Sequence, residues 1–465
     1  MKGHSNKWVL ASLSLSTLMA SLGVSIANVA LPTLTEAFST SFQAVQWVVI
    51  SYLLSITVMI VSIGRLGDIF GLRRMLMIGV FIYTFASLVC GVSPTLWGLI
   101  LARAFQGFGA AILIALTLAF VREAVSDKKT GSAMGMLGTM SAVGTALGPT
   151  LGGILIEAYG WRTIFLIMIP LGVLNMFLIY RYLPITKTKT KFESKKNDWI
   201  GTVVLALTLA SYTLAMTIGK GSFDWLNALL LLLAVFGIGT FMYSQANVKF
   251  PLIKLSLFRN RNLSTSLIIN SFVSTVMMAT LVVGPFYLSL ALGLNETFVG
   301  MVMSVGPIVS ALTGIPSGRI VDYFGASKIV ITGLLIMALG AFALSILSNH
   351  YGVLGYIIAL AILTPGYQLF QAANNTSVMM DANKDQRGLI SGVLNLSRNL
   401  GLITGASVMG ALFAFAVGSS DFEIAQVQDI SKGMTATFVA AGILMAVAVI
   451  ISFTKRKKPF RPFKI

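Results

Sequence analysis

The residues Gly64–Gly71 (GRLGDIFG) and Gly318–Gly325 (GRIVDYFG) repeat one pattern, G-R-x-x-D-x-F-G. Each copy lies between two long apolar runs, as a short turn between two membrane helices does. Such turns often contain Gly, Asp and Arg, but the same string at equivalent places predicts an internal repeat. Two similar halves are a common transporter arrangement, with the substrate site near the membrane midplane between them.

The composition excludes an ordinary soluble protein. Of the 465 residues, 56% are hydrophobic and 10% are charged, whereas about a quarter of the residues in a soluble domain are charged. A transmembrane helix needs about 20 mostly apolar residues. Such runs predict an all-α membrane protein with fourteen spans, at about 9–31, 44–63, 75–92, 97–121, 131–157, 163–181, 199–218, 226–245, 264–290, 297–317, 328–348, 352–378, 388–417 and 434–454.

The basic residues indicate how the chain crosses the membrane. With fourteen spans, all but four of the 33 Lys and Arg residues fall on one side, and such an excess marks the cytoplasmic side. We therefore expect a multi-pass protein of the cell (plasma or inner) membrane with both termini in the cytoplasm. The formal charge of +18 is then a topology signal, and no nucleic-acid partner is expected. The basic tail at 455–464 is an orientation signal or a contact with anionic lipid.

The predicted spans divide into three units. Residues 1–185 form a first six-helix half, residues 186–262 a central helix pair with flanking loops, and residues 263–465 a second six-helix half. The single cysteine, Cys90, allows neither an internal disulfide nor a thiolate metal site.

Four further motifs indicate the family that the sequence resembles. They are LILARAFQGFGAA at Leu99–Ala111, GTALGPTLGG at Gly144–Gly153, GWRTIF at Gly160–Phe165 and DWIG at Asp198–Gly201. Together with the repeated turn, they resemble the major facilitator superfamily and, within it, the fourteen-helix drug:proton antiporters of the EmrB/QacA type. The resemblance covers essentially the whole chain. It implies the major facilitator fold, with two six-helix halves and a central helix pair.

The repeated turn supplies candidate gating residues, which are Gly64, Asp68, Gly71, Arg73, Arg74, Gly318 and Asp322. Glycines permit two helix ends to approach closely, and an acid beside a helix N-terminus is stabilised by about 0.3–1 kcal/mol. The resemblance implies that Asp68 latches the two halves together on the cytoplasmic side. Arg73 and Arg74 are placed to pair with Glu123 or Asp127. The alternative is that these charged residues only fix the orientation of the chain in the membrane and cap a helix.

Two charged residues within predicted spans are candidates for proton coupling. Arg103 lies inside the fourth span, where a charge costs about 2.5–3.5 kcal/mol, so it should face the protein interior. The resemblance implies that Arg103 helps to control proton exchange; snorkelling to the interface is the alternative. Glu157 is the one acid within a predicted span. It is either a protonatable site or part of an interfacial salt bridge, for which Arg162 is a partner.

The fifth span predicts a hinge, formed by Gly144, Gly148, Pro149, Gly152 and Gly153. Small residues let membrane helices pack closely, and proline bends a helix. The resemblance implies that this motif marks exporters and limits proton leak. Generic close packing is the alternative.

Polar side chains in three spans predict a water-filled substrate cavity. They are Ser25 and Asn28 in the first span, Asn270 in the ninth, and Gln368, Gln371 and Asn375 in the twelfth, with Gln106 beside Arg103. Lipid cannot satisfy amide groups, so these side chains face a cavity or bond to neighbouring helices. The 22 methionines suit a repackable apolar pocket.

One departure from the family pattern bears on coupling and specificity. Many members carry an acid in the first helix where this sequence has Gly23. Its absence weakens the inference of proton coupling at that position and of a preference for cationic drugs.

These features predict a secondary active transporter that exports amphipathic or lipophilic compounds, such as drugs, antiseptics and toxic metabolites, by proton antiport with alternating access. No P-loop motif is present, so a proton gradient is the expected energy source and no cofactor or metal is expected. We expect a monomer with small-molecule substrates in the lipid bilayer. The alternative is a facilitator, importer or exporter of one native metabolite or lipid without proton coupling. A non-transporting receptor or an enzyme fits the motifs less well.

Overall fold

The computed structural model describes residues 4–124, 127–184, 198–218, 224–248, 251–253, 255–380, 387–418 and 425–453, and these contain helices and no strand. The chain is thus all-α in every part described. The helices are α1 His4–Val29, α2 Leu31–Phe38, α3 Phe42–Phe70, α4 Leu72–Val92, α5 Leu96–Ala124, α6 Asp127–Tyr159, α7 Thr163–Leu166, α8 Met168–Tyr182, α9 Trp199–Thr217, α10 Trp225–Asn247, α11 Arg261–Phe286, α12 Glu296–Phe324, α13 Ala326–Met380, α14 Arg387–Thr404, α15 Gly410–Val417 and α16 Val427–Ser452.

Twelve helices in the described residues, rather than the fourteen predicted, are long and apolar enough to cross a membrane. Two features account for the difference. One of the twelve covers 53 residues, Ala326–Val378, which the sequence pattern divides into two spans. The glycine-rich α6 is not among the twelve, and the small and hydroxylated residues that fill it lower its hydropathy.

The helix α13 folds back on itself at Gly352, whose φ of 55° and ψ of −128° interrupt the helix. The two arms then pack side by side. A side chain on Gly333 would lie 2.7 Å from the nitrogen of Phe370, and one on Gly340 would lie 2.6 Å from Leu363. These contacts join residues at equal distances from the turn, so the arms are antiparallel.

Two bundles face each other. The N-terminal bundle is α1–α8, and the C-terminal bundle is α11–α16. Their repeated turns share one backbone conformation: Gly71 has φ 87° and ψ 133°, and Gly325 has φ 86° and ψ 143°. Only glycine adopts such angles without strain, so the last glycine of each copy starts the next helix in both bundles. We call the membrane face where α1 begins the basic face, and the other the opposite face.

The central pair α9–α10 packs across the junction of the bundles. Trp47 of α3 donates a hydrogen bond from Nε1 to Thr217 of α9 at 2.9 Å, and Tyr212 of α9 donates one to Thr404 of α14 at 3.1 Å. The helix α9 therefore contacts both bundles, while α10 lies on the outside with most of its side chains exposed.

Candidate functional site

The most extensive contact between the bundles joins α6 to α12. A side chain on Gly153 would collide with the carbonyl oxygen of Glu296, and one on Gly300 would collide with that of Pro149. The hydroxyls of Thr150 and Ser304 are hydrogen-bonded to each other. Two of the predicted hinge positions, Pro149 and Gly153, thus lie in this seam, where the backbones touch because the side chains are small or absent.

The other hinge glycines pack α6 against α1. A side chain on Gly144 would lie 2.7 Å from the carbonyl oxygen of Leu18, and one on Gly148 would collide with Ser25. A side chain on Gly152 would lie 3.0 Å from Ile26. Ser25 donates from Oγ to the Gly144 carbonyl at 3.2 Å. The predicted cavity residue Ser25 is therefore a helix-to-helix contact, and α6 is held closely on two sides.

Glu157 joins the bundles at the opposite face. Its Oε1 accepts a hydrogen bond from Asn295 Nδ2 at 3.1 Å, and its Oε2 accepts one from the backbone nitrogen of Thr297 at 3.1 Å. Asn295 caps the start of α12. Glu157 is exposed and bonds across the seam rather than to Arg162, whose Nη2 donates to the Ser93 carbonyl.

A second seam joins α3 to α11 and the α14–α15 segment. Gln46 donates from Nε2 to the Ala406 carbonyl at 2.8 Å. The Phe42 ring packs edge-on against Phe286, with centroids 4.6 Å apart, and against Phe413 at 5.7 Å. The hydrogen bonds between bundles found in the described residues all lie toward the opposite face, so the structure is closed there.

Arg103 is fully buried in the N-terminal bundle, at 0% exposure. Its Nε donates to the Val48 carbonyl at 2.9 Å, its Nη2 to the Gly23 carbonyl at 3.1 Å, and its Nη1 to Gln106 Oε1 at 2.5 Å. The guanidinium carbon lies 4.1 Å from the centroid of the Tyr52 ring. The groups that surround this cation are neutral dipoles and aromatic faces. Gln106, predicted to line the cavity, is buried and hydrogen-bonded to Arg103.

The position of Gly23 explains why this chain carries no acid there. A side chain at Gly23 would collide with the Tyr83 hydroxyl and lie 3.0 Å from the Tyr52 hydroxyl. Both tyrosines donate to carbonyls of α1, Tyr52 to Ala20 at 3.0 Å and Tyr83 to Met19 at 2.8 Å. Two phenols therefore occupy the space that a carboxylate would need.

The predicted cavity residues Asn270, Gln368 and Gln371 hydrogen-bond to polar side chains of neighbouring helices. Gln371 Nε2 donates to Asn270 Oδ1 at 3.3 Å, and Gln368 donates to Ser310. Asn375, expected to face the cavity, is exposed, and its neighbour Asn374 is buried. The difference is one residue on the helix, about 100° around its axis.

Of the predicted cavity residues in α1, Asn28 has an unpaired group. It is buried, its Nδ2 donates to the Val24 carbonyl at 2.8 Å, and its Oδ1 has no partner.

The candidate gating residues are only partly described. The side chain of Asp68 and the surroundings of Gly64 lie outside the described part, as do the side chains of Glu123 and Asp127. Arg73 Nη2 donates to the Tyr180 carbonyl at 2.5 Å, tying α4 to α8. Arg74 and Asp322 are exposed, and Gly318 has open space around it.

Sequence patterns did not single out several residues of these contacts. In the sequence, Tyr52 and Tyr83 resemble any other aromatic residues of membrane helices. Thr150 and Ser304 are hydroxyl residues on two separate helices, and nothing in the sequence pairs them. The spacing of Gly300 and Ser304 is the small-x-x-x-small pattern of close helix packing, which was the available signal. In the described residues no three His, Cys, Asp or Glu side chains come together as a metal site.

Comparison with known proteins gives consistent matches along the chain. The sequence matches the Major Facilitator Superfamily over residues 13–406 and 266–465. It is 32% identical to the riboflavin transporter RibZ of Clostridioides difficile over 414 residues, 88% of each protein. It is 28% identical to the multidrug resistance protein Stp of Mycobacterium tuberculosis over 409 residues, 87% of this chain and 75% of that protein.

A solved structure shows the same architecture. The xylose transporter XylE from E. coli, in a partially occluded inward-open conformation, superposes with a TM-score of 0.67 at 12% identity. The superposition covers 98% of this chain and 100% of XylE. At this identity the likeness concerns the fold.

Proposed function

The chain belongs to the Major Facilitator Superfamily, and on that premise we propose that it exports amphipathic or lipophilic small molecules in exchange for protons. Membership makes it a multi-pass membrane transporter of small molecules rather than a catalyst. The observation that carries the export proposal is the α6 seam. Its glycines allow α6 to pack closely against α1 on one side and α12 on the other. Alternating access requires such a close contact, about which one bundle can rock against the other.

We infer fourteen membrane crossings, as in the drug:proton antiporters that the motifs resemble. The 55 residues of α13 would extend about 80 Å as one helix, well over twice the bilayer core of about 30 Å. The reversal at Gly352 divides α13 into two crossings, and α6, 33 residues long and packed between α1 and α12, supplies another. This count puts both termini at the basic face, which we assign to the cytoplasm of a plasma or inner membrane.

On that assignment the opposite face is the outer side of the membrane. The contacts Glu157–Asn295, Thr150–Ser304 and Gln46–Ala406 close the outer side. Export requires these contacts to break while the basic face closes, and we propose that Asp68 latches that face. The variant Asp68→Asn should insert normally and lose transport; full transport by the inserted variant would contradict the latch.

Glu157 offers a way for external protons to act on the outer seam. As a carboxylate it accepts two hydrogen bonds from the start of α12. Protonation turns one oxygen into a donor, which removes an acceptor and weakens the closed state. Glu157 is exposed, so its proposed role is to open the outer side rather than to carry the proton across. Arg103, a permanent cation held by neutral groups, is the second proposed coupling residue.

A second candidate function is uncoupled transport of one native metabolite. It is favoured by the neutral surroundings of Arg103, whose described partners include no carboxylate that could carry a proton. The relative RibZ, named as a riboflavin transporter, is consistent with it. The name of Stp, a multidrug resistance protein, supports export of drugs. We expect the protein to act as a monomer in either case.

Drug susceptibility of a host with and without the gene tests the export proposal. Expression should lower susceptibility to several unrelated amphipathic compounds, and the variant Gly153→Leu, which fills the α6–α12 seam, should abolish the effect. Unchanged susceptibility across a broad panel, with the protein present in the membrane, would contradict export of such compounds.

A further inference from the structure

Basic side chains of three helices lie around the end of α8, at the basic face. Arg73 of α4 donates from Nη2 to the Tyr180 carbonyl at 2.5 Å, and its guanidinium carbon lies 5.9 Å from the centroid of the Tyr180 ring. The Trp8 ring of α1 stacks on Tyr182, with centroids 5.2 Å apart and 13° between the ring planes. We call the basic residues at or directly beside these contacts the α8 cluster; they are Lys7, Arg73, Arg74 and Arg181.

The α8 cluster has no acidic partner among the described residues. The one ion pair in that part of the chain joins Lys432 to Asp429 of α16. Three members of the cluster are exposed and Arg73 is half-buried. The sequence that follows α8, at 185–197, adds five lysines and one glutamate, so it raises the positive charge further. The cluster is therefore suited to an anion from outside the chain.

Exposed apolar stripes lead from the cluster toward the membrane interior. On α4, side chains at spacings of four and three residues follow Arg74 along one helix face; they are Ile78, Phe81 and Phe85, all exposed. On α8, Phe177 and Val173 precede Tyr180 at the same spacings and are also exposed. A soluble anion has no use for these stripes, whereas a lipid has an anionic head for the cluster and acyl chains for the apolar side chains.

Aromatic side chains place the cluster at the level of the lipid headgroups. Trp and Tyr are enriched at the membrane–water interface, and Trp8 and Tyr180 are both exposed there. Basic residues next to a membrane helix attract anionic lipids. The end of α8 itself carries a partial negative charge of about half a unit, which four positive side chains outweigh. The net field at this place favours an anion.

We propose that the α8 cluster binds the headgroup of an anionic phospholipid in the leaflet at the basic face, with the acyl chains along the stripes of α4 and α8. The inference goes beyond the proposed transport function, because it depends neither on the substrate nor on proton coupling. An acid of the same face, such as Glu123, is the competing partner for these arginines, and the test separates the two.

Lipid binding to the purified full-length protein tests the site without any gradient. The protein in detergent micelles is titrated with phosphatidylglycerol, and native mass spectrometry counts the lipids bound. The matched probe is phosphatidylcholine with the same acyl chains, which has the phosphate but no net charge. We expect phosphatidylglycerol to bind at least tenfold more tightly. Equal affinity for the two lipids overturns the proposal, and it is the result expected if an acid of the chain neutralises the cluster.

Substitutions at two exposed members of the cluster test the location. Lys7→Gln and Arg181→Gln should each weaken phosphatidylglycerol binding about fivefold, and the double variant about twentyfold, because each removes one charge near the lipid surface. Arg181→Lys keeps the charge and should keep most of the affinity. All of these variants should bind phosphatidylcholine as wild type does. Wild-type phosphatidylglycerol affinity in the double variant would contradict the site.

The control is Lys328→Gln, an exposed base at the position of the second repeated turn that matches Arg74. Ser327 stands there where the first copy has Arg73. Lys328→Gln should leave phosphatidylglycerol affinity within about twofold of wild type. An equal loss from Lys328→Gln and Arg181→Gln would show that charge anywhere on this face attracts the lipid, which contradicts a defined site. Failure of the proposed export function leaves these binding results unchanged, so the two failures are distinguishable.

Discussion

The Arg103 guanidinium lies over the Tyr52 ring, with 4.1 Å between the guanidinium carbon and the ring centroid. Hydrogen bonds from the same guanidinium reach carbonyls of α1 and α3, so this stacked pair joins three helices around a buried charge. A buried charge is expensive unless its partners are well placed. Replacing Arg103 therefore tests whether this buried charge is needed for transport or only for holding the three helices together.

Replacing Arg103 with Gln should abolish uphill transport without unfolding the protein. The change removes the cost of burying a charge, which offsets the loss of the donors to the Val48 and Gly23 carbonyls. The measurements are gradient-driven transport and melting temperature of the same sample. The control is Arg162→Gln, which removes an exposed arginine at the opposite face and should transport normally. Normal uphill transport by Arg103→Gln would exclude Arg103 from coupling.

Filling the α1–α6 contact should destabilise the protein. A methyl group on Gly148 collides with Ser25, so Gly148→Ala should lower stability by about 1–3 kcal/mol through overpacking and slow transport. The matched control is Gly314→Ala in α12, where nothing lies within 4 Å of the added carbon. That variant should be neutral or more stable by about 0.5–1 kcal/mol, because alanine favours the helix. Equal behaviour of the two variants in thermal unfolding would contradict the tight seam.

Removing the charge of Glu157 should change how transport responds to external pH. In Glu157→Gln the amide oxygen still accepts one hydrogen bond from the start of α12, but the group no longer titrates. The transport rate of wild type should rise as external pH falls, and that of Glu157→Gln should vary much less. The control is Glu36→Gln, an exposed acid at the same face. Identical pH profiles for wild type and Glu157→Gln would rule out this residue as the external sensor.

Asp198 fixes the central helix pair. It is buried, its Oδ1 accepts from the backbone nitrogen of Gly201 at 2.7 Å, and its Oδ2 accepts from Gln245 Nε2 at 2.6 Å. Gln245 in turn accepts from the backbone nitrogen of Ile253 at 3.1 Å. Asp198→Ala leaves these buried donors unpaired and should cost about 1–3 kcal/mol. In a double-mutant cycle with Gln245→Leu, the two changes should be non-additive by about 0.5–3 kcal/mol; additive changes would contradict the link.

The helices could be predicted from the sequence, because long apolar runs form membrane helices. The predicted count of fourteen spans differs from the twelve long apolar helices of the described residues. The expected break between 348 and 352 coincides with the turn at Gly352. The sequence pattern predicted a span at 131–157, and α6 covers it at Asp127–Tyr159. The glycines of α6 allow close contact with α1 and α12, but which helices it contacts could not be predicted from a single sequence.

The site was less predictable because its contacts join distant parts of the chain. A charge in a span such as Arg103 is rare enough to be noticed, but its partner Tyr52 resembles any other membrane aromatic. The sequence places Glu157 near the outer end of its helix, as the structure does. Its partner Asn295 could not be predicted, because Asn295 belongs to the other bundle. Asn375 and Asn374 differ by one position, and only the structure shows which of them is buried.

The most direct test of proton-driven export uses purified protein in liposomes with an imposed pH gradient. A fluorescent amphipathic compound known to be effluxed by the expressing cells serves as substrate, with a pH-sensitive dye on the inside. The account predicts uphill accumulation of the compound, opposite movement of protons that depends on the compound, and loss of both in Arg103→Gln. Movement of the compound that only equalises its concentrations, at the same rate with and without the pH gradient, would contradict proton antiport.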